Sequence, residues 1–408
     1  PSMGSVPSMV LLACPGSRFV VTLRSVNRAW HQGVRRALGC SEVRRQLGCH
    51  LWDGSVACRT TRIVYTVPGS ASLRLRLYHA VWSPSGDRLW CLFSAGASSG
   101  QPHHLAVFNA AAELQNDWEI PAWRCLAAVL HFLSDTQLLC LMMDDHELHV
   151  LHYETSGGLQ SSRTVDISVH IPKQAAGMEL PVISFDGQRA AFIVNMVEMY
   201  EEEDEPFPIA ETSCRLILID IPGARVQWSK TFMEFMTVRV VGFVAAGIIV
   251  SGDNLVGLLN ERTMQLVPML SHFDPPANEW ACLSGDRLRL ADGQSIFRFA
   301  EGGPPSLEKQ CDLQIQDTIG TDGESAWSPD GSRIACVRGD ACMGGEGKGL
   351  PLLDIFHSET GALLWRRSLG EGSHPEVTFS PDGFRIFVTR STLGGDLCTI
   401  IAPALLTL

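Results

Sequence analysis

Residues 379–389 read Phe379-Ser380-Pro381-Asp382-Gly383-Phe384-Arg385-Ile386-Phe387-Val388-Thr389. An apolar strand ending on an aromatic residue runs into a turn, and a second apolar strand leaves it. Pro holds φ near about −65°, Asp can bond its own backbone, and Gly takes a positive φ, so the segment predicts a β-hairpin. Three other segments repeat it: Trp82-Ser83-Pro84-Ser85-Gly86, Ser184-Phe185-Asp186-Gly187 and Trp327-Ser328-Pro329-Asp330-Gly331. The strands that follow, such as Arg88-Leu89-Trp90-Cys91-Leu92-Phe93 and Arg333-Ile334-Ala335-Cys336-Val337, are too continuously apolar for a half-exposed sheet. They suit strands packed on both faces.

Weaker copies fill the gaps. Ser284-Gly285-Asp286-Arg287-Leu288 repeats Ser85-Gly86-Asp87-Arg88-Leu89 letter for letter, and turns are expected before Leu138-Leu139-Cys140-Leu141 and at Ala245-Ala246-Gly247. Anchored on Gly86, Thr136, Gly187, Gly247, Gly285, Gly331 and Gly383, seven units follow one another at intervals of 50, 51, 60, 38, 46 and 52 residues. A four-stranded propeller blade takes roughly 40 to 50 residues, so each interval holds one blade. Third strands follow each hairpin, for example Leu105-Ala106-Val107-Phe108 and Leu216-Ile217-Leu218-Ile219-Asp220, and Leu363-Leu364-Trp365-Arg366-Arg367-Ser368 reads as a fourth. The last unit has no room for its own fourth strand, whereas Arg62-Ile63-Val64-Tyr65-Thr66-Val67 precedes the first hairpin without a blade. Residues 62–67 are therefore expected to close the ring and remove its open edge.

Residues 60–408 resemble the WD-repeat and TolB-like propellers, whose units carry the same aromatic-Ser-Pro-Asp-Gly hairpin. The resemblance implies an all-β, seven-bladed β-propeller over 51–408; residues 1–50 read instead as a short α-helical segment. The single Trp-Asp pair, Trp52-Asp53, lies outside the repeats, so some blades should lack the side-chain network of well-formed WD repeats.

Composition agrees with a large all-β chain: 45% hydrophobic and 19% charged residues, with 37 Gly and 22 Pro. The 13 cysteines contain no Cys-x-x-Cys pair, which signals neither a zinc site nor a disulfide framework and points to core thiols of an intracellular, cytoplasmic or nuclear protein. No apolar run is long enough for a membrane span. Net charge is −12, yet residues 1–50 hold seven Arg and one acid, so the acidic charge is concentrated in the propeller. Nucleic-acid binding, which depends on Lys and Arg meeting phosphates, is not expected; a basic partner is.

In the N-terminal segment Phe19, Val20, Leu23, Val26, Asn27 and Trp30 fall on one helical face. The run Leu23-Arg24-Ser25-Val26-Asn27-Arg28-Ala29-Trp30, followed by Val34-Arg35-Arg36-Ala37-Leu38, resembles the second half of an F-box. Val6-Pro7-Ser8-Met9-Val10-Leu11-Leu12 stands where that family starts with Leu-Pro-x-x-Leu-Leu, although Cys14-Pro15-Gly16 then interrupts the first helix. The resemblance implies that Pro7, Leu11, Leu12, Leu23, Val26 and Trp30 bind the adaptor of an SCF-type ubiquitin ligase while the propeller receives the substrate. The alternative is a helical cap or docking element on a propeller scaffold within a larger assembly. In both readings the chain recognises proteins and is not an enzyme.

Two insertions stand out. Glu201, Glu202, Glu203, Asp204 and Glu205 form an acidic run in the third unit, between Val194 and Leu216, either a solubilising insertion or a contact for a basic partner. The Gly-rich run 339–349 lacks the Gly-Lys-Ser/Thr of a phosphate loop. No catalytic residue, cofactor or metal site is expected. His103-His104 reads as a loop, Gly-x-Ser-x-Gly and His-Glu-x-x-His do not occur, and His149 and His152 fall on opposite faces of a strand, so they cannot share a metal with His146.

Overall fold

A computed structural model of the chain describes Trp52 and residues 58–403, without 67–74, 95–101, 122–124, 145, 172–174, 201–208, 233–237, 253–254, 272–280, 293, 301–305, 316–322, 339–349 and 393–394. The helical segment expected at 1–50 lies outside the described residues. The chain is an all-β, seven-bladed propeller: seven antiparallel sheets succeed one another along the sequence. Blade 1 comprises Arg76–Trp82, Arg88–Ser94, His103–Asn109 and Leu114–Ile120. The first strands of blades 2 to 7 are Ala127–Phe132, Ala175–Met178 with Val182–Ile183, Val238–Val244, Cys282–Leu283, Gly323–Trp327 and Ser373–Phe379. First strands of neighbouring blades pack on one another, so they form the inner wall of the ring.

The hairpin turns owe their shape to one serine. In blade 7 Ser380 Oγ donates to Asp382 Oδ1 (2.5 Å) and accepts the Arg385 N–H (2.9 Å). The Gly383 N–H donates to the Ser380 carbonyl (2.8 Å), with Gly383 at φ 66°. Ser184 with Asp186 and Arg189, and Ser328 with Asp330 and Arg333, repeat the arrangement. In blade 1 the hydroxyl of Ser85 takes the place of the carboxylate, 3.0 Å from Ser83 Oγ.

Blade 5 corrects the register read from its sequence. Ser284 Oγ donates to Asp286 (2.5 Å) and accepts the Arg289 N–H (3.0 Å), and the left-handed position is Arg287 at φ 59°. Ser284 therefore corresponds to Ser83, and the letter-for-letter match with residues 85–89 is two residues out of register. Blade 4 turns without a serine, through Ala245-Ala246 between the paired Val244 and Gly247. Gly247 sits at φ 152°, where a Cβ would collide with the Leu259 carbonyl oxygen.

Apolar second strands pack on both sides, as their composition predicts. In blade 1 Leu89, Cys91 and Phe93 face Phe387, Cys398 and Ile400 of blade 7. The alternate residues Trp90 and Leu92 face Leu138, Cys140 and Met142 of blade 2. Each such buried side chain contributes about 1.5–3 kcal/mol, so every second strand supports two interfaces.

The seventh blade is completed by an early strand, Cys58–Ile63, antiparallel to Gly395–Pro403 from Cys58↔Pro403 to Ile63↔Cys398. It starts four residues before the 62–67 segment read from the sequence, and residues 64–66 form no strand. Blade 7 is also tied directly to blade 1. Arg385 Nη1 donates to the Gly86 carbonyl (2.9 Å) at the turn end, and Leu77 N–H donates to Asp396 Oδ2 (2.7 Å) at the other. Trp52, placed outside the repeats by the sequence, is fully buried between blades 6 and 7. Its Nε1 donates to the Gly383 carbonyl (3.0 Å) and its ring meets Trp365 edge-on at 5.5 Å.

Ser380→Ala removes a buried hydroxyl, leaving the Arg385 N–H without its acceptor, while the Asp382 carboxylate loses one donor and keeps the Phe384 N–H and the Arg385 guanidinium. The expected cost is about 1–3 kcal/mol, read as a lower urea midpoint with unchanged slope. An unchanged midpoint would show that the turn does not depend on this serine.

Candidate functional site

The two ends of the ring differ in kind. The serine turns close one end. At the other, here the mouth end, first and third strands begin and second and fourth strands finish. Blade 3 projects furthest there: its second and third strands pair from Arg189↔Asp220 to Tyr200↔Ile209, beyond the Val194 and Leu216 bounds read from sequence. Glu201, Glu202, Glu203, Asp204 and Glu205 lie outside the described residues. So do Pro7, Leu11, Leu12, Leu23, Val26 and Trp30.

Charged groups from four blades meet on the inner wall at the mouth end. Arg76 lies at the start of the first strand of blade 1, Arg239 in blade 4, Glu324 in blade 6 and Glu376 in blade 7. Asp396, at the start of the third strand of blade 7, is anchored by the Leu77 N–H and by Ser391 Oγ (2.7 Å). Burial pushes the Glu376 carboxyl up to about 8, and the charges of Glu324 and Asp396 push the same way, against Arg76. Burial also raises Glu324, opposed by Arg239 and by a hydrogen bond from the backbone of Val377 in the next blade. The guanidiniums do not cancel this crowding fully: Arg239 Nη2 donates to the Ala281 carbonyl (2.6 Å), and Arg76 lies 5.2 Å from the Tyr78 ring centroid. Two glutamates on adjacent inner strands thus compete for one state of charge, and a proton resolves the competition near neutrality.

Further along the wall the imidazoles stay neutral. His79 Nδ1 accepts the Leu130 N–H (3.3 Å), and burial, with His131 adding to it, lowers its pKa to about 4. At the turn end Phe185 is 78% exposed, with the Arg287 guanidinium 5.1 Å from its ring centroid.

A second group lies at the mouth end of blade 2. His149 does not converge with His146 and His152, as its strand position predicts, but it does converge with Asp144 and Glu147. Their ligand atoms all lie within 4.8 Å of one another. Sequence reading missed this trio by comparing histidines only with histidines. The available signal was Glu147-x-His149, two residues apart on one face of a strand, preceded by a turn aspartate. His103 and His104, read as a loop, belong to the third strand of blade 1. His104 Nδ1 lies 3.2 Å from Asp117, whose other oxygen accepts the Tyr65 hydroxyl (2.8 Å).

No family model matches the sequence, and no curated protein matches it. Among solved structures, an oligogalacturonate lyase in complex with manganese is 12% identical, with 86% of this chain and 98% of that chain covered and a TM-score of 0.50. An oligogalacturonate lyase from Vibrio parahaemolyticus, also 12% identical over 86% and 98%, has a TM-score of 0.52. The β-propeller domain of Cps50 (Swd1) from Myceliophteria thermophila is 12% identical over 85% and 99%, again at 0.52. At this identity the likeness shows the propeller fold alone, and neither F-box nor WD-repeat membership. It also corrects the expectation that the chain is not an enzyme. The same fold along most of this chain carries a lyase, so a missing motif does not set the protein apart from enzymes.

Glu376 gives a pH test. In the unfolded chain its carboxyl titrates near its ordinary 4.5, in the folded chain near 8. Between these values the folded state holds a proton that the unfolded state releases, so this group's contribution to stability falls as pH rises from about 4.5 to 8. Glu376→Gln keeps the neutral form at every pH. Its Tm is expected to match wild type near pH 5 and exceed it above pH 8; parallel curves would refute the shift.

Proposed function

We propose that the protein is an interaction platform whose mouth end receives a cationic group, a lysine or arginine side chain of a partner protein, against Glu324, Glu376 and Asp396. The observation that carries this reading is the burial of Glu324 and Glu376 on adjacent inner strands, which raises both carboxyls, with the charges of Glu324 and Asp396 pushing Glu376 up further. A cation placed within about 4–6 Å favours the ionised form and relieves that repulsion. The net charge of −12 draws basic partners toward the ring in the same sense. A β-propeller is compatible with such a scaffold role, since loops from several blades present one continuous surface on a rigid frame.

Binding of a cation expels the proton from Glu376, so affinity for basic peptides rises from pH 6 to pH 8. Titration of the full chain with a panel of Lys/Arg-rich peptides reads this directly. Glu324→Gln with Glu376→Gln is expected to weaken binding by about tenfold or more, the loss of one charge-assisted contact. Equal affinities at both pH values and in the double variant would end the proposal.

A narrower reading rests on the resemblance of residues 23–30 and 34–38 to the F-box. In that reading Pro7, Leu11, Leu12, Leu23, Val26 and Trp30 hold an SCF adaptor, and the mouth end holds the ligase substrate. Affinity purification of the full chain from its native cell separates the two: adaptor and cullin co-purify and are lost in folded Leu23→Ala/Trp30→Ala. Purification without them leaves the scaffold reading alone.

A further inference from the structure

From the geometry of blade 2 we infer a binding site for a first-row divalent cation, formed by Asp144 Oδ2, Glu147 Oε2 and His149 Nε2. The inference is independent of partner binding on the inner wall.

The repeat itself supplies the control. Asp144 Oδ1 accepts the N–H groups of His146 (2.7 Å) and Glu147 (2.6 Å), and the Asp144 N–H donates to the Glu147 carbonyl. In blade 5 Asp292 builds the same turn, accepting from Gln294 (2.9 Å) and Ser295 (2.6 Å) and donating to the Ser295 carbonyl. The turn thus accounts for Asp144 but not for its neighbours. Where blade 2 has Glu147 and His149, the same turn in blade 5 is followed by Ser295 and Phe297. The fold accepts an apolar ring at the histidine position, so the imidazole answers to something other than the hairpin.

The arrangement suits a cation. The His149 side chain is only 7% exposed, and its Nε2 lies 3.9 Å from Asp144 Oδ2 and 3.8 Å from Glu147 Oε2. Its Nδ1 lies 3.4 Å from Thr164 Oγ1 on the paired fourth strand. A proton on Nδ1, shared with that hydroxyl, turns the Nε2 lone pair toward the two carboxylates, the outer-shell orientation usual for a ligating imidazole. In this tautomer the Nε2 lone pair and two carboxylates face a common point, which a cation fills favourably and for which a proton on Nε2 is the competitor. Bonds of about 2.1 Å in a tetrahedral site place ligands about 3.4 Å apart, so the two His149 separations must close by about half an ångström, and the two carboxylates, which lie within 4.8 Å of one another, must draw together as well. Glu147, with a side chain 50% exposed, is free to swing that far. One nitrogen and two carboxylate oxygens suit zinc, cobalt, iron or manganese, and solvent fills the open positions. Asp144 Oδ1 stays with the turn while Oδ2 faces the cation, so binding leaves the hairpin unchanged.

Co2+ is the probe, because its visible absorption separates nitrogen and oxygen ligands from thiolates, and Zn2+ serves as competitor. Titrated into the full chain, Co2+ is expected to occupy this site without a thiolate charge-transfer band, and Zn2+ to displace it. Glu147→Gln and His149→Phe, the latter borrowed from blade 5, should each weaken binding at least about tenfold with Tm of the metal-free protein unchanged. Asp144→Asn, which keeps the turn acceptor, should do the same. Failure of Co2+ and Zn2+ to bind at millimolar concentration would overturn the inference. So would binding that survives Glu147→Gln, an exposed change that cannot act by unfolding.

Discussion

A buried serine hydroxyl holds each well-formed blade in register. It donates to the turn carboxylate and accepts the N–H at the start of the second strand, so two polar groups that the ring buries are satisfied by one side chain. The second strand cannot slip by a residue without losing that bond and turning its alternating apolar faces the wrong way. Because those faces serve two interfaces, register in one blade fixes the packing of both neighbours. The arginine opening the second strand carries the constraint across the gap. Arg189 reaches Glu261 in blade 4 (2.5 Å), Arg289 lies 4.9 Å from the Trp327 ring in blade 6, and Arg385 holds Gly86.

Fold was legible because this hairpin is a local object. Ser-Pro-Asp-Gly followed by Arg and an apolar run is a complete physical instruction within eleven residues. Reading it failed where letters and geometry part company. At residues 284–288 a coincidental pentapeptide outweighed the serine spacing, and the left-handed position fell to Arg287 rather than a glycine. Serine five residues before the strand-opening arginine is the better anchor, since that interval is what the hydrogen bond measures. Trp52 escaped notice for the opposite reason: its partners, Gly383 and Trp365, are more than 300 residues away, and no periodicity announces a single side chain filling an inter-blade gap.

The charged group on the inner wall was not legible at all. Arg76, Arg239, Glu324 and Glu376 are ordinary residues at the edges of apolar strands, spread over 301 positions of the chain. Packing of the successive blades 6 and 7 sets the two glutamates against one another, and only ring closure brings Arg76 of blade 1 beside them. The trio in blade 2 is intermediate. Its members span six positions, but its meaning depends on the second copy of the same turn in blade 5, which shows which of the three residues the hairpin requires.

The two ends of the ring hold their charges differently. At the turn end, the serine, aspartate and arginine side chains are paired within their own hairpins or with the next blade, so their charges are spent on geometry. At the mouth end, Glu324 and Glu376 are held at a cost that no described hydrogen bond of the hairpins requires, and Glu376 keeps a proton at neutral pH as a result. A fold that stays closed through its turns and its early strand, with the Asp396 tie joining blades 7 and 1 at the mouth itself, can carry such unfavourable charge without opening. Strain of this kind persists where the surroundings over-determine the structure, and it is relieved by a ligand of opposite charge. The rigidity of the frame is therefore the physical condition for buried like charges at its mouth end.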